Sequence, residues 1–171
     1  MKTREKLEQA TGGILFVDEA YTLYNDATND FGKEAVETIM KYMEDHRNDI
    51  MIIFAGYTQQ MQDFLKINPG IASRISHEFF FEDYSIKELT TLGLQMLAKD
   101  SYYVNEEYYS KALEYKYRSD TDKSNARYVR SFNEQLTLNN AMRVVADMTA
   151  DVTEITKEDI DKLLGFDVST L

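Results

Sequence analysis

Two short aliphatic runs constrain the fold of this chain more than any other feature: ILFV at residues 14–17 and IMIIFAGY at residues 50–57. Each is bounded by glycine or polar residues, as is typical of strands in the interior of a parallel sheet, so we expect the first strand to be buried on both faces. Between them, Glu34 to His46 has apolar residues at the spacing of an amphipathic helix. This order predicts a βαβ unit.

Further elements of the α/β portion are predicted from local patterns. HEFFFEDY, at residues 77–84, predicts a third strand around Phe79–Phe81. The other signals are a helix over residues 2–10 that ends before Gly12-Gly13, a short helix over Met61–Leu65 and a turn at Pro69-Gly70.

From about Ser85 onward, the pattern predicts helices only. The helix signals are a capping box of Ser85 with Glu88, Asn105 opening a tyrosine-rich helix to about Tyr117, a long stretch over residues 124–148, and a cap from Thr156 to Asp159. We therefore expect an α/β portion over residues 1–84 and a small helical portion over residues 85–171.

Two adjacent carboxylates, Asp18 and Glu19, directly follow the first predicted strand. In open parallel sheets, ligands bind at the carboxyl ends of the strands, so these acids are candidates for chemistry. The alternative is a solvated loop end, since the chain has 30 acidic residues against 19 basic ones.

Composition excludes several classes of function. The formal charge of −11 disfavours nucleic acid and anionic membranes as general partners. The chain has no cysteine, hence no disulfide or thiolate metal site, which suits a reducing cytosol. The apolar runs are far shorter than the ~18 residues that span a bilayer. We therefore expect a cytoplasmic protein.

Four features in chain order match the needs of a nucleoside triphosphatase, which must hold a metal, orient water and neutralise phosphoryl charge. They are the acids after ILFV, the strand ending in FAGYT, the arginine of NPGIASRI, and the two arginines of SNARYVR. Together these stretches resemble the AAA+ ATPases of the stage V sporulation protein K and red-type Rubisco activase group, over nearly the whole chain. The resemblance implies a partial AAA+ P-loop NTPase parallel sheet, comprising the Walker B, sensor 1 and last strands, followed by a small α-helical lid domain.

The resemblance also implies roles for individual residues near the sheet. Asp18 would hold Mg²⁺, usually through water, and Glu19 would polarise the attacking water. FAGY is similar to the sensor 1 strand, but Tyr57 stands where many AAA+ proteins have asparagine. Either Tyr57 or Thr58 would then contact the γ-phosphate.

Three arginines are assigned by the same resemblance. Arg74 matches the arginine finger, which in this family acts on nucleotide held by the neighbouring subunit. Arg127 matches sensor 2 of the lid, and Arg130, one turn further along, is the alternative. For each arginine, the competing interpretation is a surface ion pair in an acidic protein.

The chain lacks the glycine-rich GxxxxGK[ST] loop that binds phosphates in such ATPases. Its only Gly-Lys pair, Gly32-Lys33, is followed by Glu34, and Ala27 stands where the first glycine of that loop would be. Compared with the family, we expect this chain to be the C-terminal part of a module whose first strand, P-loop, first helix, second strand and first pore loop are missing. The loop from Tyr24 to Lys33 would correspond to the second pore-facing loop.

Two functions follow as hypotheses. In the first, the chain is a piece of an ATPase that binds ATP and Mg²⁺ as the complete protein and remodels a protein substrate in a hexameric ring, while the chain alone is inactive. In the second, it is a non-catalytic interaction module on an AAA+ scaffold. The missing P-loop strand would leave two central strands without partners, and we expect self-association to cover them. Direct pairing of the two strands, or partial disorder of the α/β portion, are the alternatives.

Overall fold

The computed structural model describes residues 2–23 and 30–171, with the side chain of Asp30 excluded. These residues form two compact units that divide between Phe81 and Glu82. Residues 24–29, which belong to the predicted second pore-facing loop, lie outside the described residues. No helix in the described part of the chain is long and apolar enough to cross a membrane.

The first unit contains a two-stranded parallel sheet. Its elements are α1 (Lys2–Ala10), β1 (Ile14–Val17), α2 (Asp30–Asp45), β2 (Met51–Phe54), α3 (Thr58–Ile67) and α4 (Pro69–Ala72). A 3₁₀ turn over Ala20–Leu23 follows β1. The register runs from Ile14 opposite Met51 to Val17 opposite Phe54, which confirms the predicted βαβ unit. Pro69 begins α4 at a position that needs no backbone N–H, so the predicted turn is a short helix.

The prediction that β1 is buried on both faces is wrong. Ile14 and Phe16 are each 60% exposed, and their partners Met51 and Ile53 are 58% and 40% exposed. Side chains alternate across a strand, so these four residues share one face of the sheet. On the other face, Phe54 packs against the buried cluster of the first unit. One apolar face of the sheet is thus uncovered by the described residues.

The prediction of a third strand around Phe79–Phe81 is also wrong. Residues 75–85 form no helix or strand, and the three phenylalanines are 81%, 67% and 96% exposed. A strand exists only when a neighbour pairs with its backbone, and no segment of the described residues pairs with this one. The apolar sequence is suited to a strand, but its partner is lacking here.

The second unit is mainly helical. Its elements are α5 (Ile86–Lys99), β3 (Tyr103–Val104), α6 (Glu106–Ser119), α7 (Ala126–Ala146), β4 (Glu154–Ile155) and α8 (Lys157–Leu164). The predicted capping box of Ser85 with Glu88 is present, and the Asn105 side chain caps α6. The expectation of helices only is wrong, because β3 and β4 pair in parallel. Strands of two residues are too short to show a period of two in the sequence.

A buried hydrogen-bond chain ties three helices of the second unit together. Tyr109 is fully buried and donates its hydroxyl to Asn133 at 2.7 Å. Asn133 in turn donates to the carbonyl of Gly93 at 2.9 Å. The Tyr109 ring also contacts Phe132 edge to face, with centroids 5.5 Å apart. A glycine is needed at position 93 because α5 meets the Tyr109 ring there.

We expect Gly93→Ala to destabilise the second unit by about 3 kcal/mol, through overpacking and loss of the buried hydrogen bonds. A Cβ at this position would clash with the Tyr109 hydroxyl and lie 2.8 Å from Tyr109 Cζ and 2.9 Å from Val129 Cγ1. Urea denaturation followed by circular dichroism measures the change in the free energy of unfolding.

Gly165→Ala is the matched control for Gly93→Ala. Gly165 has nothing within 4 Å of an added Cβ, but its φ of +80° disfavours alanine, so about 1 kcal/mol is expected. Adding Tyr109→Phe to Gly93→Ala removes the clashing hydroxyl and should recover part of the loss. Equal stability of Gly93→Ala and the wild type would contradict the packing described.

Candidate functional site

Asp18 and Glu19 form a tight turn at the carboxyl end of β1. Both side chains are exposed, and the Glu19 amide donates to Asp18 Oδ1 at 3.0 Å. Glu19 has φ of 47°, in the left-handed region that non-glycine residues rarely adopt. The turn therefore directs two adjacent carboxylates into solvent at the edge of the sheet where ligands bind in α/β folds.

Backbone hydrogen bonds attach this turn to the end of β2. The Ala55 amide donates to the Val17 carbonyl at 2.9 Å, and the Ala20 amide donates to the Ala55 carbonyl at 3.0 Å. Ala20 is fully buried. The parallel register thus brings the acids that follow the first strand beside the residues that follow the second strand.

Tyr21 lies close to the acid turn and to Tyr57, a placement that sequence patterns did not reveal. Its ring lies 6.5 Å from the Tyr57 ring, centroid to centroid, and a Cβ on Gly56 would be 2.8 Å from Tyr21 Cδ1. Partial desolvation, followed by the charge of Glu19, raises the pKa of the Tyr21 hydroxyl. Gly56 is therefore required for space, because the end of β2 approaches the Tyr21 ring closely.

The two sensor 1 candidates occupy the start of α3. Tyr57 is the N-cap residue, is 63% exposed and makes no side-chain cap hydrogen bond. Thr58 is the first helical residue and is also exposed. Both lie within four residues of the end of β2, on the same edge of the sheet as the acid turn. Neither side chain has a structural contact that distinguishes it as a phosphate ligand.

The carboxylates at this edge suit a Mg²⁺ ion that also binds phosphate. Mg²⁺ usually keeps several waters and takes one or two protein carboxylates together with substrate phosphates. No group of three or more potential metal ligands occurs in the described residues, so they provide no cage made of protein ligands alone. Asp18 fits as a single carboxylate in such a site, and Glu19 stands beside it.

Arg74 lies just after α4 and is held by two contacts within the first unit. One guanidinium nitrogen donates to the Gly70 carbonyl at 2.9 Å, and another lies 3.1 Å from Glu44 Oε2 on α2. The Glu44 side chain is 61% exposed and the Arg74 side chain 35% exposed, so solvent reaches both partners of the pair. Exposed ion pairs contribute only about 0–1 kcal/mol, so Arg74 can leave Glu44 at small cost.

Arg127 and Arg130 lie in the first turns of α7, in the second unit, and both are exposed. The residue before α7, Asn125, has φ of 54° and bonds to the segment that enters this unit. Its side chain accepts from the Tyr84 amide at 3.0 Å and donates to Asp83 Oδ1 at 2.7 Å. Sequence reasoning singled out the arginines but missed Asn125, because its partners lie some 40 residues earlier.

An open depression at the opposite edge of the first unit contains none of the predicted residues. It is lined by Gly12, Gly13 and Arg47 among others, near the amino ends of the strands. Its glycine amides are already used, since Gly12 donates to the Asp49 carbonyl and Gly13 to the Ala10 carbonyl. The Gly-Gly pair therefore ends α1 and leaves no free amide for a phosphate.

Sequence comparisons divide the chain at nearly the same place as its two compact units. Residues 1–83 match the family described as "ATPase family associated with various cellular activities (AAA)". Residues 85–168 match the family described as "AAA lid domain".

Curated relatives align along almost the whole chain. A "Protein CfxQ homolog" of Galdieria sulphuraria is 38% identical, over 98% of this chain and 55% of its own length. "Stage V sporulation protein K" of Bacillus subtilis is 36% identical, over 93% and 52%. "Ribulose bisphosphate carboxylase/oxygenase activase, chloroplastic" of Cyanidioschyzon merolae is 39% identical, over 94% and 58%. The chain thus spans about half the length of these relatives.

Proposed function

We propose that this chain, which belongs to the AAA family of ATPases, supplies the metal-binding and catalytic acids of an ATP-hydrolysing module. The resemblance and the α/β fold class with a helical lid, both predicted from sequence, are confirmed. The observation that carries the proposal is the turn of Asp18 and Glu19, which projects two carboxylates at the sheet edge beside the end of β2.

In the complete protein, Asp18 holds Mg²⁺ with ATP, and Glu19 orients the attacking water. The metal ion would neutralise phosphate charge, while Glu19 accepts hydrogen bonds from water at the same edge. The exposure of both carboxylates and the fixed backbone of the turn support these roles. Tyr57 or Thr58 contacts the γ-phosphate from the start of α3.

Arginines complete the site in this proposal. Arg74 reaches nucleotide on a neighbouring subunit as an arginine finger, and its exposed pairing with Glu44 supports a side chain that is available at low cost. Arg127, or Arg130 one turn later, binds phosphate as sensor 2; both are exposed on α7. A hexameric ring that remodels a protein substrate in the cytoplasm, with no nucleic acid or membrane as partner, completes the proposal.

The 171-residue chain alone should show no specific ATP binding and no turnover. It lacks the glycine-rich loop whose amides and lysine bind phosphates, so no preorganised phosphate-binding site holds ATP near the two acids. Calorimetric titration with ATP and Mg²⁺ tests this, with Asp18→Ala as the matched variant. Micromolar binding that disappears in Asp18→Ala would contradict the expectation.

We also expect the chain to self-associate through the exposed sheet face of Ile14, Phe16, Met51 and Ile53. These four side chains form a contiguous apolar surface on paired strands, with Phe79–Phe81 exposed in the same unit. Sedimentation velocity at micromolar concentration should show oligomers that Phe16→Asn with Ile53→Asn disperses.

Leu138→Asn with Val145→Asn is the control for this face. Both leucine and valine are exposed on α7, at 54% and 78%, so the substitution changes apolar surface elsewhere by a similar amount. It should leave the oligomers intact. A compact wild-type monomer with slow amide exchange in β1 and β2 would show that the face needs no second copy.

A further inference from the structure

Asn125 adopts a backbone conformation that is costly for its residue type. Its φ of 54° and ψ of −119° lie in a region that glycine enters readily and other residues avoid. Such conformations cost about 1–3 kcal/mol and persist where surrounding contacts over-determine them. The contacts that hold Asn125 therefore indicate what the strained residue does.

Both polar ends of the Asn125 carboxamide bond to the segment that enters the second unit. The oxygen accepts from the Tyr84 amide, and the nitrogen donates to the Asp83 carboxylate. Upstream of this point, residues 76–82 make no backbone-to-backbone hydrogen bond with the described residues. Downstream, Ser85 caps α5. The hydrogen bonds of the carboxamide thus attach Asp83 and Tyr84, the two residues before Ser85, to the start of α7.

Asn125 also belongs to the hydrogen-bonded first turn that bears Arg127. The Asn125 carbonyl accepts from the Val129 amide at 3.1 Å, as the first turn of α7 requires. The preceding carbonyl, of Ser124, accepts from the Arg127 amide at 3.1 Å. Arg127 and the Asp83–Tyr84 segment are consequently both hydrogen-bonded to the short segment Ser124–Asn125.

We propose that Asn125 is a positioning residue that connects the arginine-bearing start of α7 to the chain entering the lid, so that a displacement of Arg127 also displaces Asp83 and Tyr84. This role rests on the proposed function of Arg127 in binding phosphate. Asparagine suits position 125 because its carboxamide supplies both the donor and the acceptor that this connection uses.

Asn125→Gly tests the connection in the 171-residue chain without nucleotide. Glycine keeps the backbone conformation and removes only the carboxamide, so the unfolding midpoint of the second unit should stay equal or rise. Amide exchange at Tyr84 should become about tenfold faster, as expected for one lost hydrogen bond. Exchange at Leu113 and Leu136, in the core, should not change. Unaltered Tyr84 exchange would overturn the proposal.

Asp83→Asn and Asn139→Ala are the controls. Asp83→Asn keeps an acceptor for the Asn125 amide and should leave Tyr84 exchange within about twofold of the wild type. Asn139→Ala removes a side-chain hydrogen bond of α7 to the Asp159 carbonyl, so it perturbs the same helix away from the connection. A faster Tyr84 amide in Asn139→Ala would indicate general loosening of α7 and overturn the specific role.

Transmission of movement is tested in a complete module that binds ATP. These 171 residues contain no cysteine, so once any cysteine elsewhere in the module is replaced, spin labels at Glu37→Cys and Glu134→Cys, both exposed, report the distance between the units. In Asn125→Gly, the ATP-dependent change in this distance should disappear while the ATP affinity stays within about twofold of the wild type. In Arg127→Ala, both the distance change and the ATP affinity should be lost. An unchanged response in Asn125→Gly would overturn the proposal. If Arg127→Ala changes neither quantity, the function proposed for Arg127 fails, whereas the Tyr84 result still decides the connection.

Discussion

Arg74→Ala should lower ATP turnover of a complete module by about 10³-fold or more, the typical effect of losing an arginine finger. ATP affinity should change little, because the guanidinium acts on charge that develops in the transition state. Steady-state hydrolysis and equilibrium nucleotide binding measure the two quantities. Glu44→Gln is the matched control: it removes the negative charge of the exposed partner of Arg74 and should leave turnover equal or higher.

Mixing of variants tests whether Arg74 acts on a neighbouring subunit. Arg74→Ala subunits keep their own acids, and Asp18→Ala subunits keep their own finger. A mixed ring therefore contains some interfaces with both groups intact and should recover part of the activity. If no mixing ratio restores turnover, Arg74 acts within its own chain or has only the structural role of its contacts with Glu44 and Gly70.

Glu19→Gln should lower turnover by about 10²–10⁴-fold while nucleotide stays bound, because the amide keeps the size of the carboxylate but cannot accept a proton from water. Single-turnover hydrolysis and retention of labelled ATP measure the two effects. In Asp18→Asn, by contrast, nucleotide binding should depend less on the concentration of Mg²⁺.

Glu34→Gln is the control for a loss of negative charge alone. This residue is exposed in the first turns of α2 and has no proposed role in the chemistry, so turnover should not change. If Glu19→Gln retains turnover within tenfold of the wild type, Glu19 is not the residue that orients water.

Part of the candidate site could be predicted from short stretches of sequence. The run ILFV and the helix spacing of Glu34 to His46 predicted a parallel pair, and the pair is present as β1 and β2. Because the ends of parallel strands meet at one edge, the position of Asp18 and Glu19 beside the end of β2 followed from that pairing. The capping box of Ser85 was equally local, since its partner lies three residues away.

Features that depend on distant partners were not predictable in this way. The close approach of Gly56 to Tyr21 and the bonds of Asn125 to Asp83 and Tyr84 join segments whose spacing has no sequence signature. Phe79–Phe81 shows the same limit in reverse: its residues favour a strand, but strand formation requires a neighbour.

The sequence by itself indicated the family, through a resemblance of several motifs. Short-range periodicity and the order of the strands also predicted most of the helices, though not their ends, and the edge of the sheet that bears the acids. Only the tertiary structure decided which sheet face stays uncovered, that Glu19 takes a left-handed conformation, and that Asn125 ties the start of the lid to α7. The physical reason is that burial and hydrogen bonding between distant segments depend on which partners the folded chain brings together. Local propensity gives the structural preference of each segment without these contacts, so it cannot predict them.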